Sequence, residues 1–159
     1  TEIYTLSLHD ALPISPLRTA VDVEALMAAL KDGTIDVFAS DHAPHSVEEK
    51  EVEFAAAPNG ILGLQSMVGI ILAHVVKPGH LTLAEALAKM TINPRKILNI
   101  AVPEIKVGAP ANLTFLHPDK TWVFDPALNR SLSRNTPFWG WSLQGQVGGV
   151  CNKGLIWLA

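Results

Sequence analysis

One short segment restricts the possible fold more than any other part of this sequence. The run Ile35-Asp36-Val37-Phe38-Ala39 is followed at once by Ser40-Asp41-His42-Ala43-Pro44-His45. A β-branched and aromatic run that ends in small and polar residues is typical of a buried parallel strand. In α/β barrels and open α/β sheets, the carboxyl ends of such strands form the edge that carries the chemistry. We therefore expect an α/β fold with Asp41 and His45 at that edge.

The side chains just past this strand suit a binding or catalytic site. Asp41 offers a hard oxygen ligand, while His42 and His45 offer titratable groups that can donate to a carboxylate. Pro44 fixes its own φ and favours an extended Ala43, which predicts that the two histidines do not share a helical face. An Asx turn that merely ends the strand is the alternative, and this segment alone leaves both interpretations open.

Helix signals and an apolar run flank the predicted strand. Asp22 is placed to cap a helix that ends at Gly33, where a left-handed residue is usual. The apolar positions of this helix follow the 3.6-residue period: Val23, Leu26, Met27 and Leu30.

Residues 61–76 carry no charged side chain if His74 is neutral. A membrane span needs about 20 apolar residues, and polar residues interrupt this run, so we expect a buried helix instead.

The segment between the strand and the apolar run is polar. Residues 46–53 contain four glutamates and one lysine, which predicts an exposed loop or short helix. The turn Ala57-Pro58-Asn59-Gly60 follows, and Gly60 permits a positive φ or a close approach to a ligand.

The rest of the sequence changes from helical signals to strand signals. Thr82-Leu83-Ala84-Glu85 predicts a capping box for a helix through Met90, and Asn93-Pro94 predicts the start of a short helix to about Asn99. A small β module follows, with strands predicted at 112–116, 121–124, 146–151 and 155–158 and a hairpin turn at 152–154. Its four tryptophans lack a companion polar cluster, so we expect packing between the module and its neighbour: Trp122, Trp139, Trp141 and Trp157.

The composition excludes several classes of function. The 159-residue sequence is 48% hydrophobic and 17% charged, with a net charge of -3 and no basic block, which argues against a nucleic-acid surface. The single cysteine, Cys151, excludes an internal disulfide and a cysteine zinc cluster, and it suits a reducing cytoplasm.

The first fifteen residues differ from the rest. Residues 1–15 show no period of 2 or 3.6 and resemble translated sequencing-adaptor read-through, so we expect a non-native segment. His9 and Asp10 are then poor ligand candidates, although an ordinary N-terminal strand and loop is the alternative. Because the sequence lacks an initiator Met, we also expect it to be part of a longer chain.

An ordered set of motifs resembles one enzyme family. The motifs are Pro16-Leu17-Arg18-Thr19, Asp32-Gly33-Thr34-Ile35-Asp36, Ser40-Asp41-His42-Ala43-Pro44-His45, Ala57-Pro58-Asn59-Gly60-Ile61-Leu62-Gly63-Leu64, Thr91-Ile92-Asn93-Pro94, Val107-Gly108-Ala109-Pro110-Ala111-Asn112-Leu113 and Asn135-Thr136-Pro137-Phe138. Together they resemble the C-terminal part of the dihydroorotase family, zinc enzymes of the amidohydrolase superfamily. The resemblance covers nearly everything from Pro16 to Ala159.

The resemblance implies a fold and a reaction. The expected fold is α/β: residues 16–100 form the C-terminal part of a (β/α)8 metal-dependent hydrolase barrel, and 101–159 form part of a small β domain. The family interconverts N-carbamoyl-L-aspartate and L-dihydroorotate, by opening or closing a cyclic amide in pyrimidine biosynthesis. The resemblance implies a small-molecule substrate. For the longer protein to which this chain is expected to belong, it implies association with further copies of itself or with aspartate transcarbamoylase.

The resemblance also assigns roles to four residues. Asp41 matches an aspartate that ligates zinc and shuttles a proton, and His45 matches a residue that holds the carboxylate of the substrate. Asn59 and Gly60 match a loop that contacts the substrate ring through main-chain atoms. The chemistry suits these roles, because a zinc-bound water with a pKa of about 7 is a nucleophile at neutral pH and an ionised aspartate can take its proton.

The sequence also departs from the family pattern. Ile14 stands where the family has a substrate-binding asparagine, Gln65 where Glu is common, and Asn112 where Asp is common. The family's His-x-His pair, bridging ligand and two later metal histidines belong upstream and are absent. Because a catalytic zinc site needs about three protein ligands, we expect this chain to be inactive by itself.

Other functions remain open from the sequence. Dihydropyrimidinases, hydantoinases and allantoinases share the barrel and the metal aspartate. A catalytically inactive dihydroorotase homologue that serves as a scaffold for aspartate transcarbamoylase is a second alternative, and a truncated product without a function of its own is a third.

Overall fold

The computed structural model describes residues 19–53 and 55–158. Five short α-helices come first: α1 (Ala20–Asp32), α2 (Val47–Lys50), α3 (Met67–Ile71), α4 (Leu83–Met90) and α5 (Ile92–Ile97). A π-helical turn, Leu72–Val76, continues α3. Three strands follow, β1 (Asn112–Val123), β2 (Ser142–Asn152) and β3 (Leu155–Leu158), with a 3-10 turn at Pro126–Leu128. The segment 1–15 and the Pro16-Leu17-Arg18 motif lie outside the described residues.

Helix α1 begins one turn earlier than the sequence suggests. Thr19, rather than Asp22, is the N-cap, and the two residues form a capping box. The Thr19 hydroxyl accepts from the Asp22 N–H (3.3 Å), and the Asp22 carboxylate accepts from the Thr19 N–H (3.0 Å). Gly33 ends the helix with φ 86°, as predicted. Leu30 is buried, but Val23 remains exposed, so only part of the predicted apolar stripe is covered.

The predicted buried strand at 35–39 forms no strand ladder in the described part of the chain. Its backbone groups bond to the helical layer instead. The Phe38 N–H donates to the Lys89 carbonyl (3.1 Å), the Asn93 amide donates to the Asp36 carbonyl (2.9 Å), and the Lys89 ammonium donates to the Ile35 carbonyl. A ladder needs a neighbouring strand, and what pairs with this segment is a single parallel bridge just beyond it, between His42 and Ile61.

The apolar run 61–76 is helical only in its second part. Helix α3 begins at Met67 because earlier amides bond elsewhere: the Leu62 N–H donates to the Asn135 carbonyl (2.9 Å). Ile71, Leu72 and Val75 are buried, which agrees with the predicted buried helix. Within the described residues, no helix is both long and apolar enough to cross a membrane.

Helices α4 and α5 follow local signals closely. The predicted capping box at the start of α4 is confirmed, since the Thr82 hydroxyl accepts from the Glu85 N–H and the Glu85 carboxylate accepts from the Thr82 N–H. The latter hydrogen bond is the main cause that lowers the pKa of Glu85. Helix α5 starts at Ile92, so Asn93-Pro94 lies inside its first turn rather than before it.

The three strands form an antiparallel sheet in the order β1-β2-β3. The two strands predicted at 112–116 and 121–124 are one continuous strand, β1, with irregular pairing to β2 between His117 and Thr121. Strand β2 starts at Ser142, four residues before the predicted start. The predicted hairpin turn joins β2 to β3, and Lys153 and Gly154 both have positive φ, as a tight two-residue turn requires.

The β module packs closely on the helix formed by α3 and the π-helical turn. Leu72 and Leu143 are fully buried between the two layers, and two glycines allow the approach. A Cβ on Gly145 would lie 2.1 Å from Leu72 Cδ1, and one on Gly69 would lie 2.8 Å from Leu143 Cβ. These glycines therefore set the distance between the sheet and the helix.

Trp141 makes the predicted contact between the β module and the helical layer. The Trp141 ring lies 5.9 Å from the His74 ring of the π-helical turn, and Trp122 and Trp139 flank the buried Phe124 at 5.8 and 4.6 Å between ring centroids. Trp157 differs, because half of it is exposed. Trp141 thus joins the module to the helical layer through an aromatic contact, whereas Trp122 and Trp139 pack on Phe124 within the module.

We expect Gly145→Ala to destabilise the protein more than Gly140→Ala. Both glycines have positive φ (84° and 78°), which costs an alanine about 1–2 kcal/mol. Only the Gly145 methyl would meet a buried side chain, Leu72, and overpacking costs a further ~1–3 kcal/mol. Urea denaturation of both variants checks the difference; equal losses would show that the sheet and the helix are not in close contact here.

Candidate active site at turn 41–45 and loop 58–64

Asp41 is held in a conformation that few side chains adopt. Its φ is 44°, in the left-handed region, where Asp is among the better tolerated residues. The residue is exposed, and its carboxylate makes no hydrogen bond or ion pair with the rest of the described chain. A strained backbone of this kind is common at functional sites. Because the Asp41 carboxylate has no partner within the described chain, it is available to a ligand.

His45 and Asn59 lie together, although fourteen residues separate them. The His45 Nε2 atom is 2.9 Å from the Asn59 carbonyl oxygen. Because a carbonyl only accepts, Nε2 carries the proton in this contact. The other ring nitrogen, Nδ1, is 3.6 Å from Glu49 Oε2. The structure therefore brings together two of the predicted site residues.

Glu49 connects the His45 ring to the start of α2. Its carboxylate accepts from the Ser46 N–H (2.8 Å), and the Ser46 hydroxyl accepts from the Glu49 N–H (3.2 Å). The bond from the Ser46 N–H is the main cause that lowers the pKa of Glu49, and the nearby His45 contributes less. Because folding lowers the pKa of Glu49, the ionised carboxylate stabilises the folded protein at pH values above the pKa that Glu49 has in the unfolded chain. This stabilisation is lost as the pH falls through the lowered pKa of the folded protein.

Gly60 lies where only a glycine fits. Its φ is 131°, and a Cβ there would lie 2.6 Å from the Ala43 Cβ and 3.0 Å from His45 Nε2. The Ala43 N–H also donates to the Ile61 carbonyl (2.9 Å). Loop 58–64 thus packs directly on turn 41–45, and all four predicted site residues fall in one region: Asp41, His45, Asn59 and Gly60.

His42 has a structural role in this region. Its Nδ1 atom accepts from the N–H groups of Gly63 and Leu64, each at 3.3 Å. The ring therefore holds the start of the loop that leads to α3.

Two further residues contact this region, Lys50 and Asn135, and the sequence did not indicate either of them. Lys50 was expected in an exposed segment, but it is only 4% exposed and its ammonium donates to the carbonyls of Pro58 (2.7 Å) and Gly60 (3.0 Å). Nothing in its acidic surroundings indicated burial. Asn135, which is 3% exposed, bonds to both the turn and the loop. Its motif, Asn135-Thr136-Pro137-Phe138, was part of the family resemblance, but no role was assigned to it.

The described residues do not by themselves form a zinc site. No group of three or more His, Cys, Asp or Glu side chains in residues 19–53 and 55–158 is close enough to hold a metal ion. Asp41 supplies one suitable oxygen donor, whereas a catalytic zinc needs about three protein ligands. The donor set thus fits a contribution to a metal site, not a complete one.

A cleft beside these segments does not include the four predicted site residues. It has a volume of about 670 Å³ and is lined by His42, Leu62 and Leu64 and by mostly apolar side chains of α3 and the β module. None of Asp41, His45, Asn59 or Gly60 lines it. A smaller pocket of about 80 Å³ is lined by His45, Lys50 and Asn135. The candidate site is therefore identified by the side chains and contacts of its residues, and not by the volume of a cleft.

Comparison with known proteins gives three kinds of match. The model of the amidohydrolase family matches residues 2–156, a range that includes most of the segment expected to be non-native. Dihydroorotase from Syntrophus aciditrophicus is 49% identical over 132 residues, and that from Acetivibrio thermocellus is 44% identical over the same length. These alignments cover 83% of this chain and 31% of each relative. The chain therefore spans about a third of the length of these relatives.

Solved structures agree on the fold. L-hydantoinase from Arthrobacter aurescens is 31% identical with a TM-score of 0.79, covering 91% of this chain and 33% of that protein. Dihydropyrimidinase from Brevibacillus agri is 22% identical with a TM-score of 0.83, covering 93% and 33%. The inactive dihydroorotase-like domain of a CAD-like multifunctional protein from Chaetomium thermophilum is 23% identical with a TM-score of 0.62, covering 88% and 36%.

These similarities confirm the predicted fold class, which is the C-terminal part of a (β/α)8 barrel joined to part of a small β domain. Because the family model covers almost the whole sequence, the chain belongs to the amidohydrolase family.

Proposed function

We propose that this chain is the C-terminal part of a dihydroorotase, which interconverts L-dihydroorotate and N-carbamoyl-L-aspartate by hydrolysis and closure of a cyclic amide. The observation that carries the proposal is the identity of 43–49% with proteins named dihydroorotase over more than four-fifths of the chain. The packing of loop 58–64 on turn 41–45 supports it, since residues with complementary roles lie together there.

Asp41 is the proposed metal ligand and proton carrier. Its carboxylate is exposed and has no partner within the described chain, so it can bind a cation without breaking an existing interaction. When bound, zinc supplies a water whose pKa is about 7. An ionised carboxylate beside that water can accept a proton and pass it to the departing amide nitrogen. The remaining ligands belong to parts of the protein outside the described residues.

His45 is proposed to hold the carboxylate of the substrate. A neutral imidazole has one N–H, and in this structure Nε2 uses it on the Asn59 carbonyl. The other ring nitrogen, Nδ1, faces the Glu49 carboxylate at 3.6 Å. His45 is therefore proposed to bind the substrate carboxylate through Nε2, after Nε2 leaves Asn59. The main-chain groups of Asn59 and Gly60 are then placed beside the ring of the substrate, because Gly60 approaches His45 so closely.

Two other functions are favoured by particular similarities. The L-hydantoinase match, at 31% identity, favours a cyclic amidohydrolase that acts on hydantoins. The likeness to an inactive dihydroorotase-like domain of a multifunctional protein favours a non-catalytic homologue. Such a homologue is proposed to serve as a scaffold for aspartate transcarbamoylase. The presence of both Asp41 and His45 supports an active dihydroorotase over the non-catalytic scaffold. We further propose that this enzyme acts in the cytoplasm, in pyrimidine biosynthesis. Parallel assays of the intact protein with dihydroorotate and hydantoin distinguish the three.

We expect Asp41→Asn in the intact protein to keep the fold but lose most turnover of L-dihydroorotate. The amide neither ionises nor accepts a proton from the nucleophilic water, and a positioned acid-base group contributes roughly 10²- to 10⁴-fold. Steady-state assays of zinc-loaded protein measure the loss. Asp36→Asn is a matched control, since Asp36 is exposed on the same segment and only its main-chain carbonyl bonds to Asn93. Near wild-type turnover by Asp41→Asn would refute the assignment.

We expect His45→Ala to weaken catalysis while the zinc content stays unchanged. The alanine cannot hold the substrate carboxylate, but it removes no metal ligand. Metal analysis of the purified intact variant, alongside the assay, separates the two roles. If zinc and activity were lost together, His45 would be a metal ligand instead.

We expect the 159-residue chain alone neither to bind zinc tightly nor to hydrolyse dihydroorotate. One oxygen ligand does not complete a site that needs about three. The four consecutive apolar side chains of β3, Leu155–Leu158, are all exposed and also favour association in solution. Zinc titration, light scattering and the dihydroorotate assay test this. A monomer that binds one zinc and is active would show that the chain is a complete enzyme.

A further inference from the structure

We propose that Asn135 and Lys50 are positioning residues that hold loop 58–64 on turn 41–45 and so fix the substrate-binding geometry of the enzyme. The proposal rests on the proposed dihydroorotase function and extends it to two buried polar residues that bond the backbone of the site. Its main consequence is that the connection between β1 and β2, which carries Asn135, controls the shape of the site formed by turn 41–45 and loop 58–64.

The Asn135 side chain bridges the two segments directly. Its Oδ1 atom accepts from the His45 N–H (3.2 Å), while its Nδ2 atom donates to the carbonyls of Ala43 (2.9 Å) and Gly60 (3.0 Å). Its own carbonyl accepts from the Leu62 N–H (2.9 Å). One buried residue thus binds backbone groups on both sides of the site. A buried amide with these bonds satisfied is held in one orientation.

Lys50 holds the same loop from the end of α2. Its ammonium donates to the Pro58 carbonyl (2.7 Å) and to the Gly60 carbonyl (3.0 Å). The Gly60 carbonyl therefore accepts from both Lys50 and Asn135. A buried ammonium is costly unless its protons are hydrogen-bonded, so the position of Lys50 and the path of the loop are coupled.

The turn and the loop also contact each other directly. The Ala43 N–H donates to the Ile61 carbonyl, the His42 Nδ1 atom accepts from the N–H groups of Gly63 and Leu64, and the His45 ring contacts Asn59. The His45 contact uses the ring proposed to bind substrate, so it does not hold the loop when that ring changes partner. Asn135 and Lys50 supply contacts that do not depend on the His45 ring.

Loss of these contacts has a specific expected effect. Gly60 must stay close enough to His45 and Ala43 that no Cβ fits, so a shift of the loop changes the space beside His45. A misplacement of about 1 Å costs roughly 10²-fold in a reaction that depends on positioning. Asp41 makes no hydrogen bond with Asn135 in the described chain, so metal binding is expected to remain.

The test uses Asn135→Ala and Lys50→Met in the intact protein, with Asn129→Ala as a control. Asn129 also bonds backbone carbonyls through its amide, but only those of Ser131 and Ser133 in its own loop. We expect Asn135→Ala and Lys50→Met each to raise KM for L-dihydroorotate by about 10- to 100-fold, with a smaller effect on kcat and unchanged zinc content. The control is expected to match the wild type.

Amide hydrogen exchange gives a second readout that does not require activity. We expect faster exchange at Ala43, His45 and Leu62 in Asn135→Ala, and near Gly60 in Lys50→Met, with exchange in α4 unchanged. A role limited to overall stability would instead speed exchange throughout the protein and leave KM unaltered. If Asn135→Ala does not fold, Lys50→Met, which keeps an unbranched side chain, decides the question.

The outcomes separate the two proposals. A folded, metal-loaded wild type without activity on dihydroorotate would overturn the proposed function, while local exchange would still show whether the two residues hold the loop. An active wild type whose KM changes less than twofold in Asn135→Ala and Lys50→Met would overturn the positioning role and leave the function intact. Unchanged exchange at Ala43 and Leu62 would overturn the positioning role as well.

Discussion

The Gly60 carbonyl is the point on which the site geometry depends. It accepts from the Lys50 ammonium and from the Asn135 amide, each at 3.0 Å, and both donors are buried. Gly60 itself has a positive φ and approaches Ala43 too closely for any side chain. The acidic helix α2, loop 58–64 and the connection between β1 and β2 therefore meet at one backbone oxygen. The relative positions of His45 and Asn59 follow from this arrangement.

Local chemistry made much of the structure predictable. The end of α1 at Gly33, the capping box at Thr82–Glu85 and the hairpin turn at Lys153-Gly154 each depend on two to four neighbouring residues, and each is present. The grouping of Asp41, His45, Asn59 and Gly60 was expected from the family resemblance, and the structure places them in one region. Their roles in catalysis remain predictions.

The sequence could not reveal features that depend on distant partners. The run at 35–39 has the composition of a buried strand, but its described backbone bonds go to Lys89 and Asn93. Lys50 lies among exposed glutamates, and only the carbonyls of Pro58 and Gly60 explain its burial. Asn135 is some 90 residues from the turn that it binds. Such contacts are set by tertiary packing, which leaves no periodic signal along the chain.

The central claim is that turn 41–45 and loop 58–64 form one face of a dihydroorotase active site. A crystal structure of the intact protein with zinc and L-dihydroorotate tests it most directly. The account predicts an Asp41 oxygen about 2.0–2.2 Å from the metal, the substrate carboxylate on the His45 ring, and Gly60 still bonded to Lys50 and Asn135. A substrate bound elsewhere, or a metal without Asp41 among its ligands, would contradict it.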